Sequence, residues 1–202
     1  MKLKGRIKQH ISANRWQYML IALIFTAGLI IGNYKVPGLE GGVRNHLLEL
    51  LNNFLRADNQ AMSGAVVLFY AFLNQAKSII GIWFLGLTVI GMPLILALVF
   101  LKGYSLGFTI GFLVQEKAGA GILITILSIL PQSLVYIPLL IIWSVIGVNF
   151  SVFIAMGRHN RAVSLGRALV SYTMLMLVFL LIVLIGAFIE AYFSPWFLQK
   201  FK

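Results

Sequence analysis

A chain of 202 residues with 60% hydrophobic side chains, 10% charged ones and a mean hydropathy of +0.96 carries far less charge than the roughly one quarter usual in soluble domains. That excess of apolar surface needs lipid as its solvent, which excludes an ordinary soluble enzyme or regulator. The net charge of +11 does not point to nucleic acid, because the Lys and Arg residues sit at the ends of apolar runs and not along one face. The lack of cysteine excludes disulfides, thiolate metal sites and cysteine nucleophiles.

Residues 1–15 form a basic arm, with Lys2, Lys4, Arg6, Lys8 and Arg15, expected to stay cytoplasmic. The apolar run after it has no small-residue cleavage site, so it reads as an uncleaved anchor. A first transmembrane helix is expected over 16–34, with Trp16, Tyr18 and Tyr34 as interface anchors. Residues 35–77 follow as an extracytoplasmic loop. Within it Val43, Leu47, Leu50, Leu51, Phe54 and Leu55 recur at helical spacing opposite Arg44, Asn45, Glu49, Asn52 and Asn53, which predicts an amphipathic helix suited to a membrane surface or a partner. The run Gly64–Leu73 is expected to be interfacial or an entry helix.

Residues 78–202 are expected to form the membrane bundle. Ser78–Leu101, bracketed by Lys77 and Lys102, is long enough to cross. Gly103–Gln115 is too short and reads as a re-entrant or half-helix element. Ala118–Gly157 fits two crossings with a turn near Tyr136-Ile137-Pro138, and Ala168–Ile189 is the last crossing before a C-terminal tail. With Lys102 and the Arg158/Arg161/Arg167 segment both cytoplasmic, an even number of crossings separates them. The sum is an all-α, polytopic membrane bundle of about five spans plus the re-entrant element, N-terminus inside and C-terminus outside.

Gly103, Gly107 and Gly111, at i, i+4 and i+8, line one helix face and let another backbone approach closely; Gly28 and Gly32 offer a shorter instance. This glycine-zipper pattern serves an interface within the chain or in a homodimer. Pro93, Pro131 and Pro138 interrupt apolar windows, where each kinks or breaks a helix; broken helices build sites in transporters and only bend a structural bundle. No charged residue falls inside the proposed spans, which argues against ion-coupled transport. His46 and Glu49 are the nearest approach to a metal site, and no further ligand flanks them. The reading is therefore no enzyme, no cofactor and no metal.

The stretches Phe84-Leu-Gly-Leu-Thr-Val-Ile-Gly-Met-Pro-Leu-Ile, Phe100-Leu-Lys-Gly-Tyr-Ser-Leu-Gly-Phe-Thr-Ile-Gly-Phe-Leu and Leu130-Pro-Gln-Ser resemble the stage II sporulation protein M family, as does Phe72-Leu-Asn-Gln-Ala-Lys before them. The resemblance implies a five-span protein of the division septum in endospore-forming bacteria. There it would act during engulfment as a non-enzymatic scaffold that anchors two peptidoglycan-degrading enzymes, stage II sporulation proteins D and P. On that reading Leu47, Leu51, Phe54 and Leu55 are the candidate partner surface; the small-residue packing, separately, leads to the expectation of a homodimer. Broader relatives often carry an ionisable residue where this chain has Gln132 and Tyr136, so no proton-linked activity is carried over. The alternative is a permease or channel subunit.

Overall fold

A computed structural model describes residues 12, 14–57, 64–124, 129–156 and 165–193, with the side chains of 52–57, 117–124, 130 and 193 left out. The basic arm up to residue 11, Arg158, Arg161 and the tail from residue 194 lie outside the described residues. All described elements are helical: α1 (Arg15–Lys35), a 3-10 turn (Val36–Gly38), α2 (Gly41–Ala57), α3 (Gly64–Gly86), α4 (Gly91–Ile124), α5 (Leu130–Ala155) and α6 (Leu165–Phe188), which ends in a π turn (Ile189–Phe193). Five of them, all but α2, are long and apolar enough to cross a membrane.

Large apolar side chains face outward along α1 (Met19, Leu23, Ile30) and α6 (Met174, Leu181, Ile185). Water would penalise that surface by about 25 cal/mol per Å², and lipid does not. The chain is a multi-pass membrane protein.

The spans are cut differently from the expectation. Gly64–Leu73 is not interfacial; it is the first half of α3, which runs on to Gly86. The charge-free window Ser78–Leu101 is not one crossing but the end of α3, a turn at 87–90 and the start of α4. Gly91 permits that turn, because a Cβ there would run into the Leu85 carbonyl. The turn's polar groups are satisfied locally and from α5. Thr88 donates its hydroxyl to Leu85 O at 2.7 Å, and Ser151 Oγ donates to Thr88 O at 2.8 Å while accepting from Met92 N at 3.1 Å. No charge is needed to stop the helix, so none marks the stop.

Gly103–Gln115 is not re-entrant. It is the continuation of α4, a single helix of 34 residues, about 50 Å long at 1.5 Å per residue. That exceeds the ~30 Å hydrocarbon core. Ala118–Gly157 consequently holds one crossing, α5, and not two. Pro93 and Pro131 fall in the first turns of α4 and α5, where the missing N–H costs no helical bond. They start helices and do not kink them. Of the three, only Pro138 stands inside a helix.

The core gathers where α3, α4, α5 and α6 meet. Trp143 is fully buried, donates its indole N–H to Ile79 O at 2.9 Å, and packs 4.7 Å from Phe179 and 5.2 Å from Tyr172 between ring centroids. Tyr172 donates to Ile82 O at 3.2 Å and stacks on Phe150 at 4.2 Å. Ile82, Ile95, Val99 and Val145 fill the space between.

Candidate functional site

Both faces of α4 carry functional candidates. One face meets α1 through the five glycines singled out in the sequence, Gly103, Gly107 and Gly111 on α4 and Gly28 and Gly32 on α1. A Cβ on Gly103 would meet Phe25 O, on Gly107 Leu29 O, and on Gly111 the side chain of Asn33. Reciprocally, a Cβ on Gly28 would meet Phe100 O and Tyr104 N, and one on Gly32 would meet Tyr104 O and Phe108 N. The partners advance together along both helices, so α1 and α4 run parallel with their backbones in contact. Phe100, Tyr104, Phe108 and Phe112 form a stacked ladder beside the ridge, at 6.3–6.5 Å centroid spacing. The glycine contact is made within the chain, and a pair of chains would have to meet on another face.

The other face of α4 is polar. Lys102, Ser105 and Thr109 line a cavity of about 260 Å³ together with Asn74, Gln75 and Ser78 of α3 and Gln132, Ser133 and Tyr136 of α5. On α4 these residues recur at spacings of three and four, and on α3 and α5 an adjacent pair is followed by a third residue three and four positions on, so each set shares one side of its helix. Glu190, in the π turn after α6, completes the wall. π turns are often found at functional positions. Tyr136 donates its hydroxyl to Glu190 Oε2 at 3.3 Å. Gln132, with its amide oriented as the hydrogen bonding requires, donates to the same oxygen at 2.9 Å and to Oε1 at 3.3 Å. The Tyr136 ring is seated against Gly186, where a Cβ would collide with it.

Lys102 and Glu190 therefore lie within spans, contrary to the expectation that the spans hold no charge. In the sequence Lys102 reads as a span boundary and Glu190 as a cap, which hides both. Polar residues repeating at i, i+3/i+4 through otherwise apolar segments were the available signal. Lys102 makes no ion pair or hydrogen bond among the described residues. It stands eleven residues into α4, about 16 Å along the helix, in a position that is expensive to occupy and that usually marks a functional site.

The third candidate is α2. Its boundaries match the amphipathic pattern, but the bundle does not cover its apolar face: Val43 is 48% exposed and Leu50 53%. Leu47 and Leu51 are half-buried, and the side chains of Phe54 and Leu55 lie outside the described residues. His46 and Glu49 are both exposed. α2 is tied to the bundle by Arg44, whose Nε lies 2.6 Å from Glu116 Oε1 on α4. Among the described residues this is the one ion pair, and its carboxylate side is only 9% exposed.

Comparison with curated proteins and comparison with solved structures each return no match. The comparison with protein families matches residues 21–195 to Stage II sporulation protein M, a match that begins within α1 and takes in the other four spans, and the chain belongs to that family.

Proposed function

We propose that this sporulation-family membrane protein is a non-enzymatic scaffold that anchors and localises peptidoglycan-degrading enzymes of the stage II sporulation protein D and P types at the septum during engulfment. The observation that supports it is α2: an amphipathic helix standing off the bundle, held by Arg44–Glu116, with Val43 and Leu50 exposed. A helix with an apolar face free of its own bundle is a surface another helix or a domain can use. In this reading α2 lies outside the cell. The N-terminal arm and the segment containing Arg158, Arg161 and Arg167 share the opposite, cytoplasmic side, in keeping with the positive-inside rule, and the C-terminus lies outside.

The test is affinity capture of the tagged chain, cross-linked in sporulating cells, followed by identification of the bound proteins. The two cell-wall enzymes should be recovered with the wild type and lost with Leu50→Glu at equal membrane abundance. Their absence from the wild-type capture would end the scaffold reading.

A second reading, a permease or channel subunit, is favoured by the polar cavity with Lys102 and Glu190 at span depth. Recovery of an ATPase or a solute-binding protein in the same capture would select it.

A further inference from the structure

We propose that the cavity between α3, α4 and α5 is a binding site for a small zwitterionic group, its anionic end held by Lys102 and its amine by Glu190. The inference is independent of the scaffold reading, since it concerns the opposite face of α4 from the glycine ridge and not α2.

Charge accounting selects the ligand class. Lys102 is without an ionic or hydrogen-bonding partner among the described residues and lines the cavity, while Glu190 lines it from another helix. An unpaired charge at membrane depth costs several kcal/mol unless water or a counter-charge meets it. A simple anion would satisfy Lys102 but would be repelled by Glu190, and a simple cation the reverse. A neutral ligand with separated charges satisfies both and leaves the cavity neutral.

The geometry of Glu190 supports the second half of this assignment. Tyr136 donates to Oε2 and the Gln132 amide to both oxygens, at 2.9 Å to Oε2 and 3.3 Å to Oε1, which fixes the carboxylate and leaves a second lone pair on Oε1 for a further donor. A protonated amine is such a donor. Around Lys102, the hydroxyl of Ser105 and the amides of Asn74 and Gln75 line the same space and match the remaining oxygens of a phosphate or carboxylate. Thr109 is already committed, donating to Ser105 O at 2.9 Å.

Size narrows the class further. About 260 Å³ lies below the 300–1,000 Å³ of drug-sized sites and far above a single water. A phosphoethanolamine group fits that description, whether as the headgroup of a lipid or as a free solute.

The experiment uses the purified full chain in neutral detergent and reads the midpoint of thermal unfolding. The probes are short-chain phosphatidylethanolamine, soluble O-phosphoethanolamine, short-chain phosphatidylglycerol and inorganic phosphate. Stabilisation is expected from the first two only. A response to the lipid alone identifies a headgroup that needs its acyl chains; a response to the soluble compound alone identifies a free solute; both outcomes support the site. Equal stabilisation by phosphatidylglycerol or inorganic phosphate would overturn the zwitterion assignment, and stabilisation by none of the four would overturn the site. Lys102→Gln and Glu190→Gln should each weaken the response roughly tenfold, as loss of a charge-assisted contact does. Undiminished binding in both variants would also overturn the proposal. Should either variant fail to fold, the four-probe comparison on the wild type decides alone.

Discussion

Over the same two turns α4 presents a dry face and a wet one. Gly103, Gly107 and Gly111 bring it into backbone contact with α1, while Lys102, Ser105 and Thr109 hold open a polar cavity against α3 and α5. In lipid the hydrophobic effect does not drive helices together, so association relies on close packing and polar contacts. The glycine face uses the first. The polar face has an available route to the second and does not take it, because its lysine is left without a protein partner among the described residues. The comparison teaches that one side of α4 is built for stability and the other is kept at a cost to it, which is the usual relation between scaffold and site.

The largest effect should come from filling the dry face. In Gly107→Leu the new Cβ meets the Leu29 carbonyl, a backbone atom that cannot rotate away, so α1 must be displaced. A loss of about 3 kcal/mol or more is expected, at the upper end of overpacking costs, read as a fall in the thermal midpoint and loss of the monodisperse species on size exclusion. A variant that assembles and melts like the wild type would show that the ridge does not hold α1.

The opposite sign is expected on the wet face. Lys102→Met keeps the length of the side chain and removes the charge. Centre-of-membrane lysine carries a penalty of roughly 2.5–3.5 kcal/mol on insertion scales, and a hydrated cavity relieves part of it. The variant should therefore be more stable than the wild type by about 1 kcal/mol, measured as a higher thermal midpoint in detergent without added ligand. A lower midpoint would mean that Lys102 is a structural contact, and the contrast between the two faces would collapse.

Several of these features were legible in the sequence. The ends of α1 and α2 follow from their apolar patterns, the five glycines stand out by spacing, and the stretch holding Gly91-Met-Pro93 is one of several that together carry the family resemblance. The span boundaries were not legible, for two physical reasons. The turn at 87–90 stops a helix without a charge because Ser151, about sixty residues away, satisfies its polar groups; single-window hydropathy cannot see such a partner. Lys102 reads as the end of a span because an isolated lysine in lipid is unfavourable, and the polar residues of α3 and α5 are what make its depth tolerable. The total of five spans came out right although three of the boundaries inside it were misplaced, since the missed crossing at α3 offset the extra one assigned to 118–157.

The smallest effect concerns the end of the polar stripe. Glu116 follows Lys102 and Thr109 at intervals of seven on α4, and there the carboxylate meets Arg44 of α2. The pair is partly exposed on its arginine side, so Arg44→Ala should change global stability by no more than about 1 kcal/mol. Its consequence should be local. With Val43 and Leu50 exposed and Arg44–Glu116 the one ion pair among the described residues, the helix gains freedom that the bundle does not share, and hydrogen exchange in 41–57 should quicken while exchange in α4 and α5 stays as it was. Unchanged exchange in α2 would show that contacts other than Arg44–Glu116 seat it. Faster exchange spreading into α4 would show that the tether also closes the wet face, and the two faces would then be coupled through Glu116.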